Sequence, residues 1–172
     1  TYGLLDQKLN QDLSAAEKII EMYELVLHER KNPDILEKLM AFTGKYYQAD
    51  RASLFLWDEK LEVWEDAVCY RDQGVMNKDQ YLEVTTQEKI QPWLSYIRKN
   101  RVVYINDKDA LKKVDERLYH DFELQDVKDC MLCGIWCRRE LLGFICIDNP
   151  GALTERMELL CKTAVLVEQI LF

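Results

Sequence analysis

The sequence has no apolar run approaching the roughly 20 residues that would span a bilayer, and its amino end shows no basic-then-apolar secretory pattern. A membrane is therefore not an expected partner. Basic clusters are missing too. Lys and Arg together number 23 against 31 Asp and Glu, for a formal net charge of -8. The densest basic spots, Lys112-Lys113 and Arg138-Arg139, both lie beside acids. Nucleic acid is held by cations that neutralise its phosphates, so it is not an expected partner either. Histidine is limited to His28 and His120. With His28 in the first helical stretch, His120 is the sole candidate base for a cysteine nucleophile. The chain contains no internal repeat and no low-complexity tract.

What remains is an ordinary globular balance of 172 residues, 48% hydrophobic and 31% charged. That length suits one domain with a helical extension, large enough to bury a core without staples. Six cysteines are present, Cys69, Cys130, Cys133, Cys137, Cys146 and Cys161. Most lie in apolar stretches, where a free cysteine packs as a small hydrophobe and its thiol pKa rises. They are expected to be reduced and metal-free, in keeping with a reducing cytoplasm. Cys130-x-x-Cys133-x-x-x-Cys137 has a spacing that can hold zinc or an iron–sulfur cluster. Read as one strand, however, it places Cys133 and Cys137 on one sheet face and Cys130 on the other.

Residues 1–31 read as one helix. Leu9, Ala16 and Tyr23 recur every seven residues, and Leu13, Ile20 and Leu27 form a second series. Together they make a coiled-coil-like seam, expected to join two copies of the chain. Ile19, Met22 and Val26 widen the stripe, so packing onto the same domain stays open. Asn32 is expected to cap a second helix begun by Pro33 and running to about Gln48. Two hairpins follow from β-prone runs, Arg51–Trp57 with Leu61–Tyr70 and Cys130–Cys137 with Leu141–Ile147. Between them lie a polar loop over 71–81, a short strand near Leu82–Thr85, a helix over Gln91–Asn100, a strand over Arg101–Ile105 and a partly helical stretch over Asp107–Asp126. A last helix is expected over Leu153–Phe172, capped by Thr154. Both ends read as cuts through helices.

These segments, in this order, resemble the GAF domain family. Ala49–Asp58 is similar to its opening strand, Val102–Asp107 to the short strand leading into the pocket cover, Cys130–Cys137 to its penultimate strand, and Leu141–Pro150 to its last strand, where a Gly precedes an apolar run ending in Asp-Asn. The resemblance covers about 33–172. It implies an α/β (α+β) fold with a central antiparallel sheet of five to six strands and helices on both faces, plus an N-terminal helical extension. Residues 1–31 would be a signalling and dimerisation helix, and 32–172 the sensory domain. It also implies a module upstream of bacterial outputs such as histidine kinases or cyclic-di-GMP synthases of the GGDEF type, dimeric through its terminal helices.

In such domains one sheet face carries a pocket for a small effector. Trp93, Tyr96, Tyr104, Tyr119, His120 and Phe122 are the residues that the resemblance places there. Cyclic-GMP-binding members carry an Asn-Lys, Phe, Asp-Glu pattern. Asn106-Asp107, Phe122 and Asp126-Val127 depart from it at two positions. Bilin attachment needs a Cys beside a His, and His120 has no such neighbour. Methionine-sulfoxide-reducing relatives need a Gly-rich, Cys-bearing loop, whereas the long middle stretch holds only Gly74. The expectation is a non-enzymatic sensor of an unidentified small molecule, with no cofactor and no catalytic residue. The alternatives are a ligand-free dimerisation scaffold whose aromatics fill the pocket, or a cysteine-based redox enzyme.

Overall fold

The computed structural model describes residues 1–75 and 84–172. Along the chain it forms α1 (Tyr2–Glu29), α2 (Ile35–Tyr46), β1 (Arg51–Asp58), β2 (Val63–Arg71), β3 (Val84–Thr86), α3 (Gln87–Lys99), β4 (Val102–Ile105), α4 (Lys108–Val114), α5 (Glu116–Leu124), β5 (Cys130–Cys137), β6 (Glu140–Asp148) and α6 (Glu158–Leu171). The strands make one antiparallel sheet in the order β3-β2-β1-β6-β5-β4. This is the α+β fold with a central antiparallel sheet expected from the sequence. Most of the loop expected over 71–81, and the first residues of the strand expected at Leu82–Thr85, lie outside the described residues.

Strand alternation divides the core in two. Leu54, Met131, Cys133, Ile135, Ile145 and Ile147 turn toward α1, α2 and α6. Phe55, Trp64, Cys130, Leu132, Phe144 and Cys146 turn toward α3, α4 and α5. Such near-continuous apolar runs are what strands buried on both faces require. Gly143 permits the tight pairing of β6 with β1, since a Cβ there would lie 2.7 Å from the Phe55 carbonyl oxygen.

On the first face, α1 packs through Ala15, Ile19, Met22 and Val26. Ile19, Met22 and Val26 are the residues expected to widen the seam, Ala15 joins them, and the packing leaves Leu9, Leu13, Ala16, Ile20, Tyr23 and Leu27 exposed. The buried core therefore extends into residues 1–31 through Met22 and Val26. The Thr43 and Thr163 hydroxyls lie 2.9 Å apart between α2 and α6, and that of Thr163 donates to the Met22 sulfur. Among the described residues no helix is long and apolar enough to cross a membrane.

Three helix starts differ from expectation, and the first is α3, which opens at Gln87 rather than Gln91. The Asn32 side chain accepts from the Asp34 amide in a turn, and α2 begins only at Ile35. Thr154 does not cap α6, because Leu153 takes a positive φ and the helix starts at Glu158. The Tyr47 hydroxyl does that work from outside, donating to the Arg156 carbonyl and accepting from the Leu160 amide.

The β1 and β6 ends meet in a buried clasp. Arg51 and Asp148 are register partners, and Arg51 Nε donates to Asp148 Oδ2 at 2.9 Å with both side chains nearly inaccessible. A terminal guanidinium nitrogen donates to the Gln125 carbonyl, and the Cys146 thiol donates to Asp148 Oδ1 at 3.0 Å. Asn149, at φ 52, is a residue type that tolerates the left-handed region. It donates to Asp50 and to the Asp126 carbonyl, and it accepts from the Lys128 amide. The family-like Asp-Asn is thus a fastener between the sheet and the loop after α5. Arg51→Met should destabilise the fold by about 3–5 kcal/mol, because it strands a buried carboxylate. Urea unfolding measures this, and a loss under about 1 kcal/mol would mean that the clasp carries little.

Candidate functional site

The face covered by α3–α5 has an aromatic floor. Phe55 and Phe144 stack with centroids 4.7 Å apart, and Trp64 lies 5.6 Å from both Phe144 and Trp57. Above it, Ile90, Trp93, Leu94 and Ile97 of α3 and Leu118 and Phe122 of α5 are buried together. Asp107 and Asp115 cap α4 and α5 through their carboxylates, which accept from the Ala110 and Leu118 amides. These two N-caps begin α4 and α5, whose Leu111 and Leu118 are buried.

The structure brings some of the expected pocket residues together and separates others. Trp93 and Phe122 meet ring to ring at 5.2 Å. Tyr96 and Tyr119 are half-buried and pack against the same cluster. The Tyr119 ring faces outward to Lys108 and Lys112, whose ammonium groups lie 5.9 and 5.4 Å from its centroid. Lys108 also pairs with Glu123 at 2.6 Å, tying α4 to α5. His120 is exposed on α5. It sits two residues from Phe122, or about 200° round the helix.

Tyr104 is on the other face. In β4 it is Val103 and Ile105 that turn toward α3–α5, while Val102 and Tyr104 pack on the α1, α2 and α6 side. The Tyr104 hydroxyl donates to Asp129 at 2.5 Å, and burial first, then Asp129, pushes its pKa up to about 12. Strand parity next to Ile105 was the signal for this placement.

One polar group of the site escaped the sequence reading. Asp121 is 3% exposed, and its carboxylate accepts the Trp93 indole N–H at 3.1 Å. The signal was its place in the stripe Leu118, Asp121, Phe122, Gln125, whose i, i+3, i+4, i+7 spacing marks a buried helix face. Burial raises the Asp121 pKa, partly offset by the Trp93 hydrogen bond. The site therefore offers apolar, ring-shaped surface with one buried carboxylate. Trp93 occupies that carboxylate and packs on Phe122, so these side chains fill this part of the face with one another.

The cysteines are all free thiols. Cys130 and Cys133 do fall on opposite sheet faces. Among the described residues no group of three or more His, Cys, Asp or Glu is placed to hold a metal ion. The expectation of raised thiol pKa values holds for Cys133, pushed up by its interaction with Cys161 and by burial. It fails for Cys161, on α6 and not in a strand. That interaction, with Arg101 and Lys162 nearby, holds Cys161 down at about 7 against the opposing effect of burial.

A model of the GAF domain family matches residues 33–171. The chain belongs to the GAF domain family. It is similar to the phycoerythrobilin-bound GAF domain of a cyanobacterial phytochrome, with a TM-score of 0.72 and 14% identity over 92% of this chain and 97% of that one. The GAF domain of the Acinetobacter phosphoenolpyruvate-protein phosphotransferase gives 0.65 and 15% over 94% and 92%. The chromophore-binding domain of Stigmatella aurantiaca phytochrome P1 gives 0.72 and 14% over 93% and 60%. Identities this low establish a common fold. No curated protein matches the sequence. The phycoerythrobilin of the first of these belongs to that structure. In this GAF domain no cysteine adjoins His120, and Asp107, at a position of the cyclic-GMP pattern, is used as a helix cap.

Asp121 sets a pH dependence. Its folded pKa lies above the unfolded value, so the folded state binds more protons in the window between the two. Stability contributed by the protonated form is present below the unfolded value, about 4, and is lost as pH rises through the folded value. Asp121→Asn keeps an acceptor for Trp93 and removes the charge. Thermal melts should show the variant gaining on the wild type as pH rises from about 4 to neutrality. A difference independent of pH would contradict the buried carboxylate.

Proposed function

We propose that this GAF domain is the small-molecule-sensing and dimerisation unit of a cytoplasmic signalling protein, and that it controls an attached output such as a diguanylate cyclase. GAF domains are sensory and regulatory modules. The observation that carries the reading is the division of labour across one sheet. The aromatic floor and the buried Asp121 lie under three short helices, while the opposite face carries α1 and α6. An apolar site with a few placed polar groups is what small ligands bind. The exposed Leu9, Leu13, Ile20, Tyr23 and Leu27 give α1 an apolar stripe unused by its own domain.

A ligand acts on such a device only by binding one arrangement better than another. A difference of about 3 kcal/mol changes the ratio of two states roughly a hundredfold. The second reading, a ligand-free dimerisation scaffold, draws support from Trp93 and Phe122, whose contact fills part of the covered face. Native mass spectrometry of the freshly purified chain separates them. A dimer carrying a displaceable small molecule is expected, a bare dimer supports the scaffold, and a monomer at tens of micromolar contradicts both.

Two substitutions on α1 test the seam. Ile20 is 57% exposed and Met22 fully buried. Ile20→Asp should weaken dimerisation by at least roughly tenfold, leaving the melt of the single domain within about 0.5 kcal/mol. Met22→Asp should unfold the domain, because the charge has no partner in the core. Light scattering and circular dichroism read these outcomes, and an Ile20→Asp dimer as tight as wild type would remove the seam.

A further inference from the structure

Packing of α6 on β5 brings together two thiols that are distant in sequence. Cys133 is buried in mid-β5 on the face turned toward α6, and Cys161 is half-buried near the start of that helix. Both line one narrow cleft with Arg101, Trp136 and Glu168. The Cys133 thiol donates to the carbonyl of its neighbour Gly134 at 3.8 Å, and the Cys133 and Cys161 sulfurs lie close enough to act on each other, with the Arg101 cation acting on both. Cys130 is on the opposite sheet face and Cys137 at the far end of the strand. Cys161 stands about 200° round α6 from Thr163, the residue that meets Met22 of α1. The thiol therefore faces away from α1 and its seam.

We propose that Cys161 and Cys133 form a peroxide-oxidisable dithiol, in which Cys161 takes up the oxygen and Cys133 resolves it to a disulfide that fastens α6 to β5. The Cys161 thiolate attacks one peroxide oxygen. An S–O bond forms, the O–O bond breaks, and the departing hydroxide leaves as water with the proton that Cys161 gave up. The Cys133 sulfur then attacks the Cys161 sulfenic sulfur. The S–S bond forms, the S–O bond breaks, and the hydroxyl leaves as water with the Cys133 proton. Two thiols and one hydrogen peroxide become one disulfide and two waters.

Each residue suits its step. The thiolate is the nucleophile, and neighbouring cations favour it, so the half-exposed Cys161 is the attacking sulfur. Cys133, buried and kept protonated, reacts only with a sulfur already beside it. The cleft encloses about 10 Å3, the room of about one water molecule. The cleft is too small for glutathione or a protein thiol to reach Cys133, while the half-exposed Cys161 at its rim is open to a molecule as small as hydrogen peroxide. A disulfide needs an S–S length of about 2.05 Å, so its formation draws α6 toward β5, and with it one of the two terminal helices.

The test treats the purified wild-type chain with hydrogen peroxide at pH 7, blocks remaining thiols and maps peptides without reduction. A Cys133–Cys161 disulfide is expected, with Cys161 lost roughly tenfold faster than Cys69. Cys133→Ala should leave Cys161 as a sulfenic acid trapped by dimedone, and Cys161→Ser should leave Cys133 unmodified. Cys161 still open to alkylation after Cys69 has been oxidised would overturn the proposal. So would oxidised Cys161 beside a free Cys133 thiol in the wild type, a result that needs no variant to fold.

Discussion

A guanidinium and a carboxylate removed from water at the junction of the two central strands constrain everything around them. Arg51 opens β1 and Asp148 closes β6, so the pair fixes the register of the sheet's middle at one end. Neither charge is tolerable there alone, and neither is left with a single contact. Arg51 reaches the Gln125 carbonyl and Asp148 takes the Cys146 thiol. Because Gln125 follows α5 directly, the same interaction that sets strand register also moors the cover of the candidate site. Asn149 repeats the mooring one residue later through Asp126 and Lys128.

The two sheet faces differ in how their helices are held. On one side α1, α2 and α6 are 28, 12 and 14 residues long and interlock around Met22, Thr43 and Thr163. On the other, α4 and α5 have only 7 and 9 residues, and α3 has 13 with Pro92 inside it. Helices that short are marginal without tertiary support. Their support comes from the aromatic floor, the Trp93–Asp121 bond, the Lys108–Glu123 pair and the mooring at Gln125. A layer held by few contacts opens more readily than the sheet beneath it. The opposite layer carries the exposed apolar stripe of α1 on which the proposed dimer rests.

The strands were legible because both faces of this sheet are buried. Arg51–Trp57, Cys130–Cys137 and Leu141–Ile147 are short apolar runs bounded by charge or turn residues, and the structure keeps them within a residue or two. Helix starts were less legible, since Asn32 and Thr154 are good caps in isolation but the chain uses Asn32 for a turn and leaves capping of α6 to distant Tyr47. In the site, Trp93 and Phe122 announce themselves by size and helical spacing. Tyr104 has the same size, yet its face is set by strand parity. Asp121 was hidden for the opposite reason, since a carboxylate on an apolar stripe reads as surface until its indole partner is known. The Cys133–Cys161 contact joins a strand to a helix across the sequence, and no local pattern encodes it.

Native-state hydrogen exchange tests the account most directly, because it reports the opening free energy of each layer in one experiment. The amides of α3, α4 and α5 are expected to exchange through a common local opening, at least roughly a hundredfold faster than those of β1, β5, β6 and α2. Gln125 and its neighbours should mark the boundary between the two regimes. Exchange of α3–α5 at the same rate as the central strands, through global unfolding alone, would contradict the claim that this face is a separately opening cover.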